Sequence, residues 1–315
     1  MHFLNLAVTI IIPVFMLVLL GAIARRLQLI DAGGFKGLTS FVFNFAIPFS
    51  LFANLAGTTL PPAIPWSYFV TYFGAGITVY SVGLLISRHL FRRPLAEATA
   101  FAFGSAFSNT ALLGIPLVLG LWGEQAALPL FLVIAIHAAV FFPPSTLLIE
   151  VGLGERPNIW GMFVLIVQGL IRNPFVVALA LGMLVAFLAI PLPAVIARFL
   201  ELGAQAASPC ALFAMGGALR LNGLHKIGAE AALAVILKMV LHPALVAVLA
   251  FWIFDIDPLW AKVAVTMAAL PAGVNLFILA DRYNVAIERS AAIVAIGTAT
   301  AALTLSLLLP FLVGL

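Results

Sequence analysis

About ten apolar stretches follow one another along this chain, each near the ~20 residues that a bilayer requires of a helix. No connection between them is long enough to hold a soluble domain. A segment inside hydrocarbon must satisfy its own backbone N–H and C=O groups, so stretches of this kind fold as helices. Of 315 residues, 64% are hydrophobic and 8% are charged, whereas a soluble domain carries about 25% charged residues. The sequence is that of an all-α polytopic membrane protein. Its net charge of +4 points to no nucleic-acid partner; the expected surroundings are membrane lipid. Cys210 is the single cysteine, which excludes an intrachain disulfide and a thiolate metal cluster, and it reads as a small buried residue.

The spans read as 4–24, 35–56, 64–87, 95–122 and 125–149 in the first half. A polar stretch at 150–158 and an interfacial helix ending at Ile171 follow. The second half reads as 173–190, 195–219, 228–254, 259–280 and 286–313. Ala22-Ile23-Ala24 resembles a signal-peptidase site, but Arg25-Arg26 follows the apolar run instead of preceding it, so the first span is expected to be retained.

Orientation follows from the basic residues. The loops after odd-numbered spans hold Arg25, Arg26, Lys36, Arg88, Arg92, Arg93, Arg156, Arg172, Arg220, Lys226, Arg282 and Arg289, twelve of the fifteen Lys and Arg. Positive residues stay on the cytoplasmic side. Those loops are therefore expected inside and both termini outside, in a bacterial inner membrane.

The chain also repeats itself. Pro13, Gly21, Pro48, Leu51, Phe52 and Ala53 recur as Pro174, Gly182, Pro209, Leu212, Phe213 and Ala214, each 161 residues later. That offset holds five spans. Five is odd, so the second copy enters the membrane from the opposite side, which is the inverted repeat of secondary transporters. Two five-helix repeats result, residues 1–149 and 173–315, joined by a cytoplasmic linker at 150–172.

Two spans are interrupted where they should be most apolar. In the fourth, Ser105, Ser108, Asn109 and Thr110 are followed by Gly114 and Pro116. In the ninth, the corresponding span of the other repeat, Pro271, Gly273 and Asn275 fall mid-segment. A proline removes an N–H and clashes with the preceding turn, so each helix is expected to open there. Paired interruptions in the two halves are the sequence mark of a transport site. Asn109 and Thr110 suit the N-cap of a half-helix, and that end favours a carboxylate. Asn275 supplies a donor and an acceptor from the other repeat.

Other polar residues within the spans admit two readings. Ser50, Ser105 and Ser108 either line the site or bond neighbouring helices together. Lys238 and His242 stand four apart on one helix face. Lys238 either balances an anionic substrate, or snorkels, or bonds a carbonyl of a broken helix. His137 is either a proton carrier or a hydrogen-bonded packing residue. All eleven carboxylates lie in loops or near span ends, which argues against a buried carboxylate relay for protons. Sodium could bind through carbonyl, amide and hydroxyl oxygens at the crossing. No cofactor or metal site is expected, with sodium or proton coupling left open. No GxSxG, HExxH or intramembrane aspartate supports an enzyme.

The Asn109, Thr110, Ile115, Pro116 pattern and Leu270-Pro271-Ala272-Gly273 with Asn275 resemble the auxin efflux carrier family, which includes plant PIN proteins and bacterial carriers. Pro13, Gly21, Arg25-Arg26, Pro48, Lys238 and His242-Pro243 add to the resemblance, which covers essentially the whole chain. It implies ten spans in two inverted repeats, with spans four and nine crossing where they unwind, in a fold like the bacterial sodium–bile acid symporters. It also implies elevator-type transport against a scaffold of spans one, two, six and seven, and a homodimer. PIN proteins carry a proline where this chain has Ser108, and a long loop where it has the short 150–172 linker. The bacterial relatives are linked with small carboxylates such as malonate or malate. The reading is a carrier of small organic anions, including auxin-like acids. A sodium-coupled symporter of a larger organic acid, or a non-transporting receptor on the same fold, are the alternatives.

Overall fold

The structure is a computed structural model and describes residues 2–56, 64–155, 159–219 and 228–314. Arg156, Arg220 and Lys226, counted above for orientation, lie outside the described residues. The described residues form helices and no strand. In chain order these are α1 (His2–Arg26), α2 (Ala32–Ala56) and α3 (Trp66–His89), α4 (Leu95–Ala106), and α5 (Thr110–Trp122) and α6 (Glu124–Gly152). Then come α7 (Ile159–Arg172), α8 (Pro174–Phe187), α9 (Ala194–Gln205), α10 (Ala207–Ala218) and α11 (Ala229–Ile253). The chain ends with α12 (Pro258–Ala268), α13 (Asn275–Arg282) and α14 (Ile287–Gly314).

Five described helices are long and apolar enough to cross a membrane: α2, α3, α6, α11 and Ile287–Leu312 of α14, with α5 and α8 as shorter apolar helices. Large apolar side chains such as Met16, Leu19, Trp66, Phe187 and Trp252 cover the outer surface. That is the exterior of an integral membrane protein, whose solvent is lipid.

Helix starts follow ordinary capping chemistry. Asp31 accepts from the Gly34 amide at 2.7 Å to begin α2. Asn173 accepts from Phe175 N–H at 2.9 Å, and Pro174 occupies the first turn of α8, where its missing N–H costs nothing. Asp257 with Pro258 repeats the device at α12.

Prolines reshape the helices they enter. Three of the five wide π turns among the described residues, Val42–Ala46, Thr110–Gly114 and Leu237–Leu241, each end two residues before a proline: Pro48, Pro116 and Pro243. A proline cannot donate to the carbonyl four residues back, and a wider turn re-routes the ladder around the gap. Each such turn carries a polar residue inside an otherwise apolar span, namely Asn44, Thr110 and Lys238.

Packing pairs α1 with α10, α2 with α8 and α9, α3 with α4, and α4 with α6, while α11 and α13 lie on α14. The α1–α10 approach is very close. A Cβ at Gly21 would fall 2.0 Å from the Phe213 carbonyl oxygen, so only glycine fits. At one end of the bundle Glu230, buried at the start of α11, accepts from Arg93 at 3.0 Å and from Arg289 at 3.1 Å. Arg289 also pairs with Glu97. This cluster ties α4, α11 and α14 together.

Two expectations need correction. Cys210 is half-buried, not buried; it sits in the first turn of α10 beside the exposed Pro209. The fifth span runs on to Gly152, beyond 149. It stops where Gly154 adopts φ 82°, a left-handed C-terminal cap that glycine takes without strain.

Candidate functional site

The fourth and ninth spans both open. After Ala106 the chain turns extended at Phe107, and α5 begins at Thr110 in a π turn closed by Gly114 N–H to the Asn109 carbonyl at 3.2 Å. After Ala268 the chain leaves the helix at Leu270, the residue before Pro271, where helical geometry is disfavoured. It resumes as α13 at Asn275.

The two openings satisfy one another. Asn109 N–H donates to the Pro271 carbonyl at 2.9 Å, and Gly273 N–H donates to the Phe107 carbonyl at 3.0 Å. Ser108 and Ala272 stand opposite each other as a single antiparallel bridge. Four backbone groups that would otherwise be unpaired in an apolar interior are thereby paired. Gly114 packs on Met267, and Pro116 enters regular helix in its first turn.

A cavity of about 380 Å³ lies at this crossing. Phe107, Ser108, Asn109, Thr110 and Leu112 form one wall with Gly273 and Asn275. The other walls come from Asn44 on α2, Ile134 and His137 on α6, and Asn173 with Phe175 at the start of α8. Among the described residues, no lysine, arginine, aspartate or glutamate lines it. Both half-helices, α5 and α13, begin at the cavity, and no side chain caps either N-terminus. Thr110 N–H bonds the Ser108 carbonyl, and the Leu276 and Phe277 amides bond the Gly273 and Val274 carbonyls; the positive ends of both half-helices nevertheless meet at the cavity, and such ends favour an anion.

The polar side chains are held as follows. Asn109 is buried; its amide does not cap α5 but donates to Met215 Sδ on α10 at 3.2 Å. Ser108 accepts from the buried Tyr72 hydroxyl at 3.3 Å. Thr110 is buried and Asn275 is half-buried. His137 is 1% exposed, and neither ring nitrogen has a protein partner. Its ring stacks on Phe107 at 4.3 Å.

Ser108, Asn109, Thr110, His137, Gly273 and Asn275 thus meet at one cavity. Ser50, Ser105, Gly114, Pro116, Pro271, Lys238 and His242 do not line it. The Ser105 hydroxyl donates to its own helix at the Phe101 carbonyl, 2.9 Å away. Ser50 is buried and accepts from Asn54 one turn on, at 3.3 Å. Lys238, 1% exposed, donates to the carbonyl of Ala268, at the end of α12, and stands 3.3 Å from His242 Nδ1. Of the readings open for Lys238, the structure places it on a broken-helix carbonyl, whose terminal charge favours a cation.

Sequence reasoning passed over Asn44 and Asn173. Asn44 stood four residues before Pro48, and its amide bonds the Ser40 carbonyl at 2.8 Å. Asn173 was read as an interruption only, yet its capping geometry places it at the cavity.

By class, a helical membrane protein with a polar cavity at the crossing of two broken helices is a solute transport protein, not an enzyme. The family model described as "Membrane transport protein" matches residues 6–309, and the chain belongs to that family, that of the auxin efflux carriers. A Rhizobium meliloti (strain 1021) protein named "Putative malonate transporter" is 31% identical over 301 residues, covering 95% of this chain and 93% of the relative's length.

Proposed function

We propose that this protein is a secondary carrier of small organic anions, malonate-type dicarboxylates first among them, bound in the cavity where α5 and α13 begin. The observation that carries this reading is the convergence of two helix N-termini without side-chain caps on a cavity that no carboxylate side chain lines among the described residues. Each N-terminus carries roughly half a positive charge. A cation would meet repulsion from both, whereas an anion receives hydrogen bonds and charge together. Asn109, Thr110, Asn275 and His137 surround the bound anion, with Asn44 and Asn173 opposite. The malonate in the relative's name fits that chemistry.

The architecture proposed is ten spans in two inverted five-helix repeats, 1–149 and 173–315, with the 150–172 linker cytoplasmic and both termini outside a bacterial inner membrane. Reciprocal packing supports the repeat. Gly21 meets Phe213, and their counterparts 161 residues away, Gly182 and Phe52, also meet, with the Phe52 carbonyl oxygen 3.3 Å from a Cβ at Gly182. A two-fold operation exchanging the halves generates that reciprocity. The cavity's walls come partly from α2 and α8, scaffold spans in an elevator carrier, and partly from the crossing helices, so sliding of one body against the other would carry the site across. A homodimer is the assembly the family resemblance implies.

Reconstituted protein tests the reading directly. Vesicles loaded with unlabelled malonate should accumulate radiolabelled malonate by exchange, and protein-free vesicles should not. Binding without exchange would mark a receptor and end the carrier reading; preference for a cationic or neutral solute would end the anion reading.

A further inference from the structure

His137 is the side chain at the cavity whose polar atoms the described residues leave buried and unpaired. It sits on α6, 1% exposed, with Nδ1 and Nε2 both buried and both unpartnered. Leaving a buried donor or acceptor unpaired is costly, so the imidazole suits a partner that protein atoms do not supply. Phe107 holds it there: the two rings stack at 4.3 Å at the opening itself, where Phe107 turns extended. Phe141 closes its edge at 5.2 Å.

The groups around it define its electrostatics. From α3, Tyr72 lies 5.8 Å away ring to ring. Beyond Tyr72, on α11, stand His242, 5.7 Å from the Tyr72 ring, and Lys238, which is committed to the Ala268 carbonyl. The crossing contributes Phe107 and Ser108. The cavity walls from α2, α8 and α13 contribute asparagines and apolar groups, with no charged side chain. Among the described residues that line the cavity, His137 is therefore the only side chain able to take up and release a proton.

Charge balance gives that fact a consequence. Two helix N-termini offer together about one positive charge. This offsets a monocarboxylate and leaves a dicarboxylate dianion with one negative charge unbalanced in an apolar interior, which is costly. A proton on His137 supplies what is missing. We infer that His137 is the proton site of the cavity: it takes one proton from solvent as a small dicarboxylate dianion binds, donates a charge-assisted hydrogen bond to it, and returns the proton to solvent when the dianion leaves. The inference rests on the organic-anion reading of the cavity and adds the substrate's ionic form and its coupling to protons.

Calorimetry on the full chain in lipid nanodiscs tests it. Malonate is titrated at mildly alkaline pH, where it is a dianion, in two buffers of different ionisation enthalpy; acetate serves as the monocarboxylate. The expected result is uptake of close to one proton per malonate and none per acetate. His137→Gln should abolish the uptake, flatten the pH dependence of malonate affinity and weaken malonate by about tenfold, as for loss of a charge-assisted hydrogen bond. His242→Gln, outside the cavity, should retain the uptake. Absence of uptake in the parent protein overturns the inference without any variant. Uptake that persists in His137→Gln, or disappears only in His242→Gln, also overturns it. If neither malonate nor acetate binds the parent protein, the organic-anion reading itself fails, and the proton site with it.

Discussion

Gly21 of α1 lies against the backbone carbonyl of Phe213 in α10, where a Cβ would come within 2.0 Å of the oxygen. Nothing flexible lines that contact, because the obstacle is backbone. Gly21→Leu should therefore push α1 away from α10 and destabilise the protein by about 1–3 kcal/mol, the usual range for overpacking. Gly182→Leu should cost less. Its nearest neighbour is the Leu55 Cβ at 3.0 Å, with the Phe52 carbonyl oxygen at 3.3 Å. Thermal unfolding in detergent measures both, and equal stability of Gly21→Leu and the parent would disprove the close packing.

Topology has its own measurement. Leu90, in the turn after α3, is well exposed and flanked by Arg88, Arg92 and Arg93. The positive-inside rule puts this turn in the cytoplasm. On a Cys210→Ser background, Leu90→Cys should react with a membrane-impermeant thiol reagent in inverted vesicles and stay unmodified in intact cells. Labelling from outside would reverse the orientation.

Asn109 and Asn275 lie 166 positions apart yet border one cavity. Either Asn→Ala change should weaken malonate binding by about 1–3 kcal/mol, as for loss of one hydrogen bond to a buried charge. Asn275→Ala should leave thermal stability nearly unchanged, because its half-buried amide makes no bond that folding depends on. Asn109→Ala should lower it slightly through loss of the Met215 contact. Affinity equal to the parent in both variants would move the site elsewhere.

Much of this site was legible because hydrocarbon makes polar residues expensive. Asn109 and Asn275 stood out for that reason, and Pro116 and Pro271 marked where their helices had to open. The mutual hydrogen bonds of the openings were not legible, since Asn109–Pro271 and Gly273–Phe107 pairings depend on how two distant spans cross. Asn44 carried the same local signal as Thr110, a polar residue just ahead of a proline, and was obscured by Ser50 nearby. Glu230 gave no signal at all. It reads as an ordinary acid at a span end, and only the approach of Arg93 and Arg289 from elsewhere in the chain makes it a buried ion-pair centre. Cavity walls from α8 were equally hidden, because a capping asparagine such as Asn173 has a sufficient local explanation.

Lys238 is the residue on which sequence and structure differ most usefully. In sequence it is a mid-span cation with no acidic residue within a turn of it, which suggests a counter-charge for substrate. In the structure it does not reach the cavity; it donates to the Ala268 carbonyl, where α12 ends and its unpaired carbonyls gather partial negative charge. The opening at Pro271 creates that need, and Lys238 meets it from the π turn before Pro243. Lys238→Met keeps the length and apolar stem of the side chain and removes the bond. It should destabilise the protein by about 1–3 kcal/mol, the cost of leaving a buried acceptor unpaired, while changing malonate affinity less than Asn109→Ala or Asn275→Ala does. Lys238→Arg should recover little of the stability, because a planar guanidinium does not fit a site shaped for a single ammonium. Thermal unfolding and malonate titration of the same preparations separate the two roles. A variant as stable as the parent but unable to bind malonate would return Lys238 to the substrate site and reverse the assignment made from its contacts.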